Sequence, residues 1–272
     1  MVVKIRLQSQ FFQAPERFAP APPRAALLLP VTAQQDARRK RKIVLRWIGM
    51  GLIAAAVMAL IYWYSTRQAR AQAAYETGVQ LLKIGHYDQA ILNFDHTVGL
   101  NANMAQAYLM RGEAYTLESR PALAVRDFTA AIRLAPRETA ALLERAQVHL
   151  NQYDFLDAAE DAGRALQISS ALPRAFTIRG MALRGSGDLQ AALRDLTRAI
   201  ELQPNLNHYF ERAVTYQKLG QHRLAIADLD RAIEFEPQAS PPYFARALSR
   251  RAAGDSAGAK EDRETGSRLD GY

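Results

Sequence analysis

The chain has 272 residues, 49% of them hydrophobic, and no cysteine, which excludes disulfides and thiolate metal sites. The formal charge is +8, yet residues 1–70 hold 12 Lys/Arg against 2 Asp/Glu, while the other 23 basic residues are outnumbered by 25 acidic ones. The basicity belongs to the N-terminal segment, so the basic footprint that nucleic-acid binding needs is missing from the rest of the chain.

Residues 1–42 read as a disordered, Pro-rich tail ending in a basic run. Pro15, Pro20, Pro22, Pro23 and Pro30 interrupt any helix. The run from Ala25 to Leu29 is too short to span a membrane; a docking motif and a flexible tail with incidental leucines both fit it. After Arg38-Arg39-Lys40-Arg41-Lys42 comes an apolar stretch, 43–64, interrupted only by Arg46. Its 22 residues, rising 1.5 Å each, suffice for a hydrocarbon core of ~30 Å. Arg46 can snorkel to the headgroups, and Trp47 and Tyr62-Trp63-Tyr64 mark the two interfaces. The stretch is predicted to be a transmembrane helix, followed by a short linker at 65–70.

Six basic residues flank the N-terminal side of this helix (Arg38, Arg39, Lys40, Arg41, Lys42 and Arg46), and only Arg67 and Arg70 flank the other. This bias puts the N-terminus in the cytoplasm and everything after residue 70 on the far side, the periplasm in a bacterium. A cleaved signal sequence is the competing reading, since Ala69-Arg70-Ala71 has the form of a cleavage site. The apolar stretch is longer than the usual ~7–15 residues of a signal sequence and lies far from Met1, which argues against cleavage. Gly51, Ala55 and Ala59 share one face of the helix, and small residues at this spacing allow a homodimer by close approach of two copies.

From residue 71 the sequence repeats with a period of 34. Gly78, Gly112, Ala146, Gly180, Ala213 and Ala247 form one column, and Ala90, Ala124, Ala158, Ala192, Ala225 and Ala259 another. Such a period marks a solenoid, in which each unit buries its apolar face only against its neighbours. With large side chains at Phe94, Phe128, Leu196 and Leu229 and prolines at Pro136, Pro204 and Pro237, the pattern resembles the tetratricopeptide-repeat family. About six units are expected, covering 71–104, 105–138, 139–172, 173–205, 206–239 and 240–272. The fold class is therefore expected to be all-α: a solenoid of helix-turn-helix units following one transmembrane helix.

Each column has a local reason. Small residues belong where two helices pack closely, and the large residue sixteen positions later fills the space between units. Gly85, Gly187, Gly220 and Gly254 suit the turn that ends the first helix. Asp154, Asp188 and Asp255 are N-cap candidates for the second, and Pro173 suits a first turn. A further column pairs Arg111 with Asp127, Arg145 with Asp161, Arg179 with Asp195, Arg212 with Asp228 and Arg246 with Asp262, always sixteen residues apart. These are expected to be structural ion pairs joining the helices. The first unit has Thr77 and Asn93 instead. Unit three deviates most, with His149, Tyr153, Ala162 and Ser170, and is expected to be the softest joint or a bend. Unit six ends weakly, with Arg263 and Gly266 at packing positions.

No catalytic, cofactor or metal motif emerges. His86, His96, His149, His208 and His222 form no i, i+4 metal pair, and Glu261, Asp262 and Glu264 read as a solvated helix face. The family resemblance implies a groove along the first helices that binds a protein or peptide partner. The matching positions here are Tyr75, Val79, Leu109, Met110, Leu143, Ile178, Met181, Phe210, Val214, Phe244 and Leu248. Glu76, Glu113, Glu144, Arg174, Arg184, Lys218 and Arg251 lie among them. Some relatives bind C-terminal carboxylates of chaperones through a polar clamp; Tyr75, Val79, Met110 and Glu144 occupy those places here and depart from that pattern. The expected function is a non-enzymatic, membrane-anchored scaffold assembling an envelope complex. A cytosol-facing receptor delivering client proteins to the membrane is the alternative, and a regulatory subunit or an enzyme with an unrecognised site is a third, more distant reading.

Overall fold

The computed structural model describes residues 31–271, which form twelve α-helices and no strand. The proline-rich tail up to residue 30, with its short leucine run, lies outside the described residues. The chain divides into two compact units, Met1–Trp63 and Tyr64–Tyr272.

In the first unit the described residues belong to α1 (Val31–Lys83). Residues 31–42, expected to close a disordered tail, are helical, and so are residues 65–70, expected as a linker. Composition explains both. Between Val31 and Thr77 there is no proline, and the only glycines are Gly49 and Gly51. After Ser65 and Thr66, the Gln-, Ala- and Arg-rich segment from Arg67 is made of good helix formers. From Ile43 to Tyr64 the large apolar side chains are all more than half exposed, Trp47 at 67% and Leu60 at 69%. The helix is long and apolar enough to cross a membrane.

The second unit is a solenoid of paired helices. Residues 64–83 of α1 pair with α2 (Tyr87–Leu100). Then follow α3 (Ala105–Leu117) with α4 (Pro121–Leu134), α5 (Thr139–Asn151) with α6 (Phe155–Ile168), and α7 (Pro173–Ser186) with α8 (Leu189–Leu202). The last pairs are α9 (Leu206–Lys218) with α10 (His222–Phe235), and α11 (Ser240–Ala252) with α12 (Ser256–Leu269). Three of the second helices, α4, α8 and α10, end two residues before Pro136, Pro204 and Pro237, because the residue before a proline is forced away from helical angles.

The turn inside each pair needs one left-handed residue. Gly85, Gly187, Gly220 and Gly254 supply it with φ of +81°, +93°, +71° and +91°. Units two and three place Ser119 (φ +56°) and Tyr153 (φ +65°) at the same point. A side chain there costs roughly 1–2 kcal/mol, so the repeat geometry overrides local preference. Asp188 and Asp255 accept capping hydrogen bonds from the backbone N–H of Ala191 and Gly258. Asp154 does not cap α6; its carboxylate lies 3.6 Å from His149 Nδ1.

Close approach of the paired helices is set by one contact per unit. A Cβ added at Gly78 would meet the Phe94 ring at 2.7 Å, and one at Gly112 the Phe128 ring at 2.6 Å. At Gly180 it would meet Leu196 at 2.9 Å. The first-helix residue is glycine where its partner is phenylalanine, and unit five, with Leu229 as partner, accepts Ala213. Phe94, Phe128, Leu196 and Leu229 are fully buried. Unit three pairs Ala146 with Ala162, yet it is not a gap. The largest buried cluster runs through it, with Leu142, Leu143, Ala146, Leu150, Ala162 and Ile178 from α5, α6 and α7. Here large side chains on the first helix fill what an aromatic on the second would have filled. In unit six Gly266 is buried under the Phe244 ring, so the last helix is still packed, although its outer side is polar.

Replacing Gly112 with Ala forces the Phe128 ring to move and is expected to lower stability by about 1–3 kcal/mol. Adding Phe128→Leu, which recreates the Ala213/Leu229 pairing of unit five, is expected to recover part of that loss. Thermal unfolding followed by circular dichroism at 222 nm (a helix signal) measures both.

Candidate interaction groove

The first helices approach one another along the solenoid, α3 with α5, α5 with α7, α7 with α9 and α9 with α11, whereas among the described residues no second helix comes as close to the next. First helices therefore line the inner side. Two sets of side chains act there: those that hold the helices in register and those left for a partner.

The register set centres on arginine. Arg111 donates from Nε and Nη2 to the two carboxylate oxygens of Asp127, at 2.6 and 2.8 Å. The same two-pronged bond joins Arg145 to Asp161, Arg179 to Asp195, Arg212 to Asp228 and Arg246 to Asp262, at 2.6–2.9 Å. The planar guanidinium matches the carboxylate, which is why a lysine could not substitute. All five aspartates are buried, Asp262 to 2% exposure. The hydrogen bond to its own aspartate is the main influence holding Arg111, Arg145, Arg179 and Arg212 in the charged form. At Arg246 burial opposes the charge, and the bonds to Asp262 and Asp230 outweigh it.

The sequence pairing misses a second reach. Nη1 of four of the five arginines extends to the preceding unit: Arg111 to Asp95 at 2.6 Å, Arg145 to Thr129 at 2.7 Å, Arg212 to Thr197 at 3.2 Å and Arg246 to Asp230 at 2.6 Å. Arg179 is the exception, because Gly163 stands in that column and has no side chain to offer. The Arg179 side chain is 32% exposed, against 14–18% for the other four. An aromatic three residues earlier covers the guanidinium of Arg111, Arg179, Arg212 and Arg246: Tyr108, Phe176, Tyr209 and Tyr243 lie 5.4–5.8 Å away. In unit one Thr77 and Asn93 instead bond back to their own helices, at the carbonyls of Ala73 and Gln89.

The sequence-expected groove residues divide. Tyr75, Val79, Leu109, Met110, Met181, Phe210, Val214 and Phe244 are half-buried, Tyr75 beside Phe94 of α2 and Phe244 over Gly266 of α12, and Leu248 is 54% exposed. Leu143 and Ile178 correct the expectation. Both are buried, at 6% and 2%, in the cluster where α5, α6 and α7 meet, and they offer no surface to a ligand. Arg184 is also committed elsewhere. Its guanidinium pairs with Glu211 at 2.6 Å and donates to the Glu211 carbonyl at 2.9 Å, tying unit four to unit five. Arg174 pairs with Glu144 at 2.6 Å, tying unit four to unit three. Gln217 donates to the Ala245 carbonyl and to Ser249 Oγ, both at 2.7 Å. Lys218 and Arg251 are exposed.

Glu113 stands apart. It shares a column with Val79, Gln147, Met181, Val214 and Leu248, none of them charged. It is half-buried and, among the described residues, makes neither a hydrogen bond nor an ion pair. Burial above all, and then the nearby Glu144 carboxylate, push its pKa from an ordinary 4.5 up to about 7, with Arg174 pulling the other way. One turn earlier on the same face, Leu109 lines an apolar cavity of about 260 Å³ together with Ala105, Gln106, Ala131, Ala135, Glu138 and Ala141.

At the turn of unit three, His149, Asp154 and Asp157 bring one ligand-type atom each to within 4.8 Å of one another. Asp154 and Asp157 are exposed and sit at the start of α6, where the helix dipole favours carboxylates.

A family model described as a tetratricopeptide repeat matches residues 118–173 and 179–243. Among solved structures, pilF of Pseudomonas aeruginosa is similar at 18% identity with a TM-score of 0.64, covering 75% of this chain and 93% of its own. The Cut9–Hcn1 hetero-tetramer of the APC/C gives a TM-score of 0.65 at 17% identity over 74% of this chain, which spans 40% of that chain's length. YrrB, described as having an unusual peptide-binding site, gives 0.51 at 17% identity, covering 65% of this chain and 91% of its own. At these identities the likeness is one of fold. No curated protein matches the sequence.

Two outcomes are expected here. Asp161→Ala leaves the Arg145 guanidinium half-buried without its carboxylate and is expected to cost about 3–5 kcal/mol. The double change Arg145→Met with Asp161→Leu, which removes both charges, is expected to recover most of that in chemical denaturation. For Glu113 the sign follows from its raised pKa. The folded chain disfavours the carboxylate, so this group's contribution to stability falls as pH rises from 4.5 to about 7. Glu113→Gln is therefore expected to unfold at a higher temperature than the parent above pH 7, and at nearly the same temperature near pH 4.5.

Proposed function

The chain is a tetratricopeptide-repeat protein, and on that premise we propose that it is a non-enzymatic, membrane-anchored scaffold that holds a partner protein or peptide in the groove of its repeats. Such repeats are protein-interaction scaffolds. YrrB, which shares the fold, carries a peptide-binding site, and the Cut9 structure is an assembly with Hcn1. The observation that carries the reading here is the inner-side column of Val79, Met181, Val214 and Leu248, apolar side chains that repeat packing leaves partly exposed. Adaptable side chains such as Met181 and aromatics such as Phe210 suit contact with a peptide.

The anchor is α1. Its stretch from Ile43 to Tyr64 exposes apolar side chains over a length that fits the hydrocarbon core. The basic run before it favours a cytoplasmic N-terminus, with the repeats extracytoplasmic, at the inner membrane if the source is a bacterium. The face of Gly51, Ala55 and Ala59 offers a second copy close approach, and a Cβ at Gly51 would meet nothing within 4 Å. On this reading the scaffold serves assembly of an envelope complex. Repeats facing the cytosol would instead make it a receptor for client proteins.

One experiment separates these readings. The chain has no cysteine, so Gln238→Cys, exposed in the turn before α11, gives a single label site. Labelling of intact cells by a membrane-impermeant maleimide is the expected result, and labelling only after lysis establishes the cytosolic receptor. In the same cells a photo-crosslinking amino acid at Leu248 is expected to capture a partner that the same amino acid at Leu92, exposed on the second helix of unit one, does not. Equal capture at both places overturns the groove.

A further inference from the structure

We infer that the partner presents a lysine or arginine side chain to Glu113, beside an apolar side chain seated in the cavity over Leu109. The inference rests on the groove reading above and names the chemistry of its occupant.

Three observations lead there. First, two arginines among the groove positions are already held, Arg174 by Glu144 and Arg184 by Glu211. Of the carboxylates Glu113, Glu144 and Glu211, Glu113 is the one that, among the described residues, is left without a partner. Second, the cation that acts on it is already engaged. Tyr75 on α1 feels the Glu113 charge, which adds to burial in raising the phenol's pKa. Glu144 on α5 repels Glu113, and Arg174 on α7, the one nearby cation acting on it, is already bonded to Glu144. A half-buried carboxylate without a partner is costly, and a cation reaching it from the groove relieves that cost. Third, the side chain is reachable. It stands in the same column as the partly exposed Val79, Met181 and Val214. A mainly apolar cavity of about 260 Å³, with Gln106 and Glu138 also in its wall, is lined by Leu109, one turn away on α3. An anionic point one turn from an apolar pocket fits a peptide bearing a basic residue near an apolar one.

Binding then couples to pH. Around pH 6 the Glu113 carboxyl holds its proton and gives a cation little to pair with; around pH 8 it is charged before the ligand arrives. A ligand lysine stays charged throughout, so affinity rises with pH. Without such a cation no rise of this origin occurs.

The test uses the full chain in lipid nanodiscs and random twelve-residue peptides displayed on phage, selected at about pH 8. The expected result is enrichment of sequences with a lysine or arginine at a fixed spacing from an apolar residue. Synthetic copies are expected to bind the parent about tenfold or more tighter than Glu113→Gln, and to lose that preference when the lysine is replaced by norleucine. This second comparison leaves the protein unchanged. Affinity is expected to weaken from pH 8 to pH 6 for the parent and not for Glu113→Gln. Enriched peptides without a basic residue, or with binding indifferent to Glu113→Gln and to norleucine, overturn the inference and leave the groove standing. No enrichment, or binding unaffected by Met110→Glu and Leu109→Glu, overturns the groove reading and the inference with it.

Discussion

Five buried aspartates need a positive charge, and the repeat is arranged to deliver one to each. An ionised carboxylate with 2–8% exposure is tolerated only when paired and fully hydrogen-bonded. The arginine sixteen residues earlier meets it with two parallel bonds, which fixes the height of one helix against the other as apolar packing alone does not. The third nitrogen of the same guanidinium, Nη1, reaches the preceding unit in four of the five, so the residue that aligns a pair of helices also aligns neighbouring pairs. Gly163 breaks that second link once, between units three and four. Arg179 is more exposed there, while Leu142, Leu143 and Ile178 supply an apolar joint in its place.

Packing and binding draw on the same helices. A first helix has to touch its own second helix, the preceding second helix and the neighbouring first helices, which leaves a narrow strip for anything else. Leu143 and Ile178 fall on the packing side of that strip, and Arg184 is used to brace two units. What remains is a band of half-buried apolar side chains from Tyr75 to Leu248, with Glu113 as its one charged column member. A single unmatched carboxylate in such a band gives it directional chemistry that a uniformly apolar groove lacks.

The first helix joins two kinds of sequence that physics treats differently. From Trp47 to Tyr64 it is apolar on every side, which a helix in water does not sustain without burial. From Ala71 onward only one face is apolar, as solenoid packing requires. No breaker separates the two, because the intervening residues are helix formers. Residues 65–70, expected as a linker, accordingly continue the helix.

Much of this was legible without coordinates. The period of 34 determined the pairing of helices, because only residues at matching positions can make the same contact in every unit. The spacing of sixteen between Arg and Asp determined the ion pairs, because it joins one point on the first helix to one point on the second. Other features depended on the assembled solenoid. That Ser119 and Tyr153 accept left-handed angles follows from the turn geometry imposed by their units, against their own preference. That Leu143 is core while Leu109 lines a cavity follows from how neighbouring helices cover each of them, though both occupy the same repeat position. That Glu113 stands unpaired while Glu144 and Glu211 do not depends on which arginine of another unit reaches which carboxylate. The sequence by itself determined the repeating contacts, since periodicity encodes whatever is identical in every unit. Only the tertiary structure decided the individual ones, since exposure and charge balance at a given position are set by neighbours tens of residues away in the chain.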